Sequence, residues 1–238
     1  MPLPNLKSPT HTLTIPSNSQ EVQYRPFLVS EEKILLMAME GNDQTEIVKA
    51  LKQIISNCTN DTVDVSKLTL FDLEYIFLNL RAKSIGNEIE LTAKIKCESP
   101  ECPKQVPLTV DLNDVQVVEN EHHTDKYMLN NEVGIALKYP SIDSVNKLQS
   151  TDMGIDEMFD IIVDSIDYIY DTENTYPASE QSRQELVDFL DSFTDEQFKK
   201  IMTFFDTMPR LEKEVEVTCP NCGRTETTKL SGLQSFFV

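Results

Sequence analysis

The apolar positions of this chain change period several times along its length, and the changes mark out its elements. Beyond Pro9, alternation at Leu13 and Ile15 and again at Val22 and Tyr24 flanks the turn-rich Ser17-Asn18-Ser19, which predicts a β-hairpin ended by Pro26. A helical period follows. Ser30 stands as an N-cap with Glu31 and Glu32 in the first turn, Ile34, Leu35 and Ala38 share a face, and Gly41 suits the C-terminus. From about Asp43 the stripe Ile47, Val48, Leu51, Ile54 and Ile55 predicts a second helix, with Cys58 buried just beyond it. A third runs from about Thr69, where Thr69 and Asp72 have capping-box spacing, through Leu73, Ile76, Phe77 and Leu80 to Gly86.

From Ile89 the period becomes two. Ile89, Leu91, Ala93 and Ile95 precede Cys97, and Val106, Leu108 and Val110 follow Cys102, so the pattern is a hairpin with a cysteine pair at its tip. The C-terminal stretch EVEVTCPNCGRTETTKL repeats that plan around Cys219 and Cys222. Between the two hairpins, residues 113–136 are acidic and polar with weak β character, and ALKYPSIDSV leads into a helix near Asp143. Met158, Ile161, Ile162, Ser165, Ile166 and Ile169 then fall on one face of a longer acidic helix. Residues 171–178 read as a loop. Helices at about 180–192 and 194–207 complete the region, the second with a Thr194–Gln197 capping box and a stop at Pro209.

The fold class expected from this order is α+β, predominantly helical, with an N-terminal β-hairpin and two cysteine-tipped hairpins joined in a zinc-ribbon-like module. Residues 1–10, interrupted by Pro2, Pro4 and Pro9, form a flexible arm, and 11–86 the N-terminal hairpin and helical region. Residues 87–112 and 210–238 form the module, and 113–209 an acidic, mainly helical insertion.

At 238 residues the chain can bury a core without staples, so a metal would be local reinforcement. Asp and Glu number 40 against 21 Lys and Arg, a formal charge of −19, and no basic cluster exceeds the Lys199-Lys200 pair. That field repels phosphate backbones and anionic lipid, which argues against nucleic acid as a partner and for basic protein surfaces. No apolar run approaches membrane-spanning length, and the opening MPLPNLKSPTHTLTIP lacks the unbroken apolar stretch of a signal peptide. Five cysteines, two close pairs and Cys58, fit folding in a reducing cytosol.

Four residues separate Cys97 from Cys102 and two separate Cys219 from Cys222, spacings that let each pair approach one ion from a single turn. The reading is one structural Zn2+ held by Cys97, Cys102, Cys219 and Cys222. Gly223 supplies the backbone freedom of a tight knuckle, and Pro220, Pro100 and Pro103 stiffen the two loops. Two reduced pairs or two disulfides satisfy the same spacing. Four thiolates would close the coordination sphere, which suits structure and not hydrolysis. The 116 residues between Cys102 and Cys219 must loop out as the insertion. His122 and His123 lie in an acidic stretch and read as solvated, and His11 carries no signal. No Walker loop, dinucleotide fingerprint, HExxH pair or nucleophile elbow is present, so no catalytic or cofactor-binding residue is assigned and the chain reads as no enzyme.

Three stretches carry a resemblance: VQYRPFLVSEEKILLMAMEG, LTLFDLEYIFLNLRAKSIGNEIEL and ALKYPSIDSV. With YRPFL, FDLEYIFLNLRAKS and KYPS as its most specific words, the chain from about Thr12 to the terminal cysteine hairpin resembles the baseplate proteins of T-even-type contractile-tailed bacteriophages, on their hub side. The resemblance implies a late protein of infection, assembled in the host bacterial cytoplasm into the virion tail baseplate, with other baseplate and hub proteins as partners. It implies no enzymatic step, matches the family's cysteine pairs to the four named here, and allows a homo-oligomer within a symmetric baseplate. Tyr24, Arg25, Pro26 and Phe27 are candidate contacts, with packing of Tyr24 and Phe27 onto the first helix as the competing reading. A zinc-ribbon regulator and a metal-dependent hydrolase are the alternative functions.

Overall fold

The computed structural model describes residues 8–41, 44–97, 102–142 and 155–236. Most of the arm at 1–10, the helix near Asp143, Asp43 and Pro100 lie outside the described residues. The architecture is α+β, six α-helices with small antiparallel sheets among the described residues, and the chain divides into two compact units.

The first unit takes in residues 1–65, 71–118 and 210–238. Strands β1 (His11–Thr14) and β2 (Glu21–Tyr24) pair antiparallel and bury Leu13, Val22 and Tyr24 on one side, as their alternation requires. Helix α1 (Val29–Glu40) begins earlier than expected: Leu28, not Ser30, is the N-cap. Leu28 has no side-chain acceptor, and the end is secured by Glu31, whose Oε2 accepts the Leu28 N–H at 2.7 Å. The same carboxylate pairs with Arg25 (2.9 and 2.7 Å), and the Cys58 thiol lies 3.8 Å from it, so a buried charge is matched on several sides. Burial pushes the Glu31 carboxyl up, but the Arg25 guanidinium and the Leu28 N–H outweigh it and hold it below its ordinary value. Burial and the neighbouring Glu31 push the Cys58 thiol up to about 12, which makes it an inert core residue.

Helix α2 (Gln44–Cys58) buries Val48, Leu51, Ile54 and Ile55 of the expected stripe, with Ile47 half-buried, and Cys58 is its buried last residue. Helix α3 (Leu70–Ser84) is buried on more than one side, at Phe71, Leu73, Ile76, Phe77, Leu78 and Leu80. Its buried Asp72 accepts the Ser17 N–H of the first hairpin turn at 3.0 Å. Tyr24 and Phe27 are core residues, Phe27 stacking on Phe77 of α3, and Arg25 is engaged by Glu31, so packing displaces the reading of this segment as an exposed contact. Strands β3 (Glu88–Lys94) and β4 (Gln105–Asp111) form the second hairpin. Strands β10 (Arg210–Thr218) and β11 (Thr225–Ser231) form the third, and β5 (Gln116–Val118) joins the outer side of β10 to give the order β11-β10-β5.

The second unit takes in 66–70 and 119–209. Strands β6 (Lys126–Met128), β7 (Gly134–Leu137), β8 (Ile166–Tyr170) and β9 (Thr175–Pro177) form a four-stranded antiparallel sheet in chain order. Helices α4 (Ile155–Asp164), α5 (Arg183–Asp191) and α6 (Asp195–Thr207) accompany it, and Ile135, Leu137, Ile162, Leu190, Ile201 and Phe204 belong to their common core. The long acidic helix is therefore shorter than its apolar face suggested: Ile166 and Ile169 lie on β8. The region expected as a loop at 171–178 contains β9 and the start of a 3-10 turn. The Thr194–Gln197 capping box at the head of α6 is formed as expected.

Candidate metal centre

Each cysteine pair sits where a hairpin must turn. In the third hairpin the Cys219 N–H donates to the Arg224 carbonyl (2.8 Å) and the Gly223 N–H to the Cys219 carbonyl (3.0 Å), folding the segment into a knuckle. Gly223 takes φ of 71°, a left-handed value that a side chain would strain. In the second hairpin the Ile95 N–H donates to the Lys104 carbonyl at 3.1 Å, closing the turn around Cys97 and Cys102. The two hairpins belong to separate ladders and are joined by side chains: Ala93, Ile95, Val106 and Val217 form an apolar cluster with Cys102 and Cys219. A polar tie adds to it, since the Lys96 N–H donates to Glu226 Oε2 at 3.0 Å across 130 positions of sequence.

This packing brings Cys97, Cys102, Cys219 and Cys222 together, with their four Sγ atoms within 4.8 Å of one another. A tetrahedron with metal–sulfur bonds of about 2.3 Å has edges of about 3.8 Å, and Cys222 Sγ lies 3.7 Å from Cys97 Sγ. No disulfide joins any two of the four, and the two pairs lie together. Cys219 is buried and Cys222 is exposed, so the cluster sits at the rim of its apolar core with one thiol toward solvent.

The Cys222 N–H is the main group drawing the Cys219 thiol down to about 6, against its burial, and the Asn221 N–H and the thiols of Cys222 and Cys97 add to it. Cys97 is pushed up to about 12 by burial and by its contacts with the thiols of Cys219 and Cys222, and Cys102 is raised for the same reasons. The cluster thus gives up one proton readily, and the positive charge of a metal is what would release the others. Among the described residues the four cysteines fit a closed tetrathiolate site.

The histidines take no part. His122 is exposed, whereas His123, expected to be solvated, is partly buried among Tyr139 and Phe204 with Nδ1 2.9 Å from the Thr207 hydroxyl. His11 lies beside the Tyr24 ring, 5.6 Å between centroids. The tie from the Lys96 N–H to Glu226 leaves no mark in the sequence, because any backbone N–H can donate and nothing local distinguishes Glu226 from the other acidic residues. Among the described residues no helix is long and apolar enough to cross a membrane.

Comparison with known proteins bears on the whole chain. The family model described as T4 bacteriophage base plate protein matches residues 8–238. The baseplate hub assembly protein gp26 of Enterobacteria phage T4 is 26% identical over 219 residues, 92% of this chain and 93% of its own. No solved structure matches.

Proposed function

The chain belongs to the T4 bacteriophage base plate protein family, and from that premise we propose that it is a non-enzymatic structural or assembly protein of the baseplate hub, acting through contacts with other baseplate proteins and carrying one structural Zn2+. The observation that carries the role is the family match across residues 8–238. A relative similar over nine-tenths of both chains bears the name of a hub assembly protein, which supports the hub as the place of action.

In this reading Cys97, Cys102, Cys219 and Cys222 hold the ion, which supplies charge neutralisation for four thiolates and a rigid cross-link between the second and third hairpins. Structural zinc contributes on the order of 10–16 kcal/mol in small metallo-domains, enough to fix the relative placement of two hairpins whose shared apolar cluster is small. Residues 87–112 and 210–238 make up the zinc-ribbon-like module, 113–209 the insertion, 11–86 the helical body and 1–10 the arm. The acidic surface would steer basic patches of neighbouring subunits into place. The protein folds in the host cytoplasm and works at the tail baseplate. Four thiolates leave no exchangeable position, which disfavours a hydrolase.

Metal content of the purified protein and of a Cys219→Ser, Cys222→Ser variant, each with a pull-down against phage baseplate hub proteins, tests both parts. One zinc per chain, lost in the variant together with hub binding, is the expected result. A wild-type protein without zinc overturns the metal assignment, and one that captures no hub protein overturns the role.

A further inference from the structure

The unit formed by 66–70 and 119–209 contains an open cavity of about 320 Å³ where β8 and β9 face α5. Val133, Ile169, Leu186 and Phe189 give it apolar walls, and Tyr176 of the edge strand β9 is 40% exposed at its margin. Tyr170, Asp171, Gln181 and Glu185 complete its lining, and among the described residues no lysine or arginine lines it.

The two carboxylates are charged and held still. Asp171 Oδ1 accepts the N–H groups of Glu173 and Asn174 (2.8 and 2.7 Å), and Oδ2 accepts the Tyr176 hydroxyl at 2.9 Å. Glu185 Oε2 accepts the N–H and the O–H of Ser182 at 2.8 and 2.7 Å. These donors hold both groups below the usual carboxylate range. Every donor is neutral, so the contacts fix two negative charges without cancelling either. Arg183, the cation closest in sequence, is held by Asp160 and Asp164 at 2.5 and 2.7 Å. The surroundings add to the field, since residues 119–209 carry 20 Asp and Glu against 6 Lys and Arg, a balance of −14.

We propose that this cavity is a docking site for an arginine or lysine side chain carried on an apolar segment of a partner protein. Such a side chain has the two properties that the cavity has, a methylene stem for the walls of Ile169, Leu186 and Phe189 and a charged head for Asp171 and Glu185. Tyr176 and Phe189 place two aromatic rings in the lining, and aromatic rings attract such a head group. A bare metal ion would want a cage of oxygens, and apolar walls do not provide one. The volume falls in the range of sites that enclose more than one group, which leaves room for an apolar neighbour of the cation. The inference rests on the cavity and not on the family, so it stands or falls apart from the baseplate role.

The full-length protein with labelled methyl groups, titrated by NMR with the capped peptide Leu-Arg-Leu, with its neutral isostere Leu-citrulline-Leu and with free arginine amide, tests it. The methyls of Val133, Ile169 and Leu186 are expected to shift, with the arginine peptide binding about tenfold tighter than the citrulline peptide, the size of one charge-assisted contact. Asp171→Asn with Glu185→Gln, which keep acceptor oxygens in place, should bring the two peptides level. No shift at these methyls, equal binding of the two peptides by wild type, or free arginine amide binding as tightly as the arginine peptide would each overturn the proposal, the last in favour of a small-molecule site. The wild-type comparison decides the matter even if the double variant does not fold.

Discussion

His123 has surroundings that its neighbours in sequence do not share. Its ring stacks on Tyr139 (5.6 Å, 14° between planes), and Nε2 is buried without a hydrogen-bond partner. Burial lowers its pKa from the ordinary 6.5, with Asp125 and Glu119 pulling the other way. Because the folded value is the lower one, the unfolded chain takes up the proton first as pH falls, so the histidine's contribution is complete above about 6.5 and is lost below it. Urea midpoints at pH 7.5 and 5.5 should therefore show wild type losing stability on acidification relative to His123→Phe, since the carboxylates titrate in both proteins and cancel in the difference. Equal changes in the two proteins would mean that the ring is solvated. No local signal could have placed this residue: Thr207 is 84 positions away, and an adjacent His122 remains exposed. The four cysteines were legible for the opposite reason, because each pair is a short-range feature and only the meeting of the pairs is long-range.

Among the elements, the three hairpins follow directly from alternation, since strands of four to nine residues with one buried face repeat their apolar positions often enough to be seen. The four-stranded sheet escaped because β6 and β9 have three residues each and β7 is buried at every position, leaving no period to read. Ile161, Ile162, Ile166 and Ile169 fit a helical face equally well, but the chain leaves the helix at the fully buried Ser165 and continues as β8. One residue in that sheet has a fixed size. A Cβ on Gly134 would lie 2.2 Å from Cζ of Tyr170, its cross-strand partner, whose hydroxyl meets Met128 Sδ at 3.5 Å. Gly134→Ala must push the ring aside and should cost on the order of 1–3 kcal/mol in denaturant unfolding. In a Tyr170→Ala background the same substitution should cost far less. A penalty that persists there would show that the backbone, not the ring, demands glycine.

At the scale of the whole molecule, Val118 and Arg210 are antiparallel Cα partners on β5 and β10, so the 91 residues from 119 to 209 leave and re-enter the first unit at one paired step. Replacing them with a short Asn-Gly turn should preserve the β11-β10-β5 sheet and a metal content of one zinc per chain. A shortened protein that folds without metal, or does not fold, would show that the second unit is needed to build the first. The acidity of residues 119–209 was legible from composition, while the four-stranded sheet they contain was not. The same arrangement sets a timetable for synthesis. At about 5–20 residues per second a ribosome needs roughly 6–23 seconds to travel from Cys102 to Cys219, during which the nascent chain displays two thiols of a four-thiol site. A metal captured in that interval would be held by half of the proposed ligands and would exchange freely. Closure of the proposed site would thus wait until Cys219 and Cys222 have been made, and a chain cut between the two cysteine pairs, however well its helices have folded, would carry only the open half of the clasp.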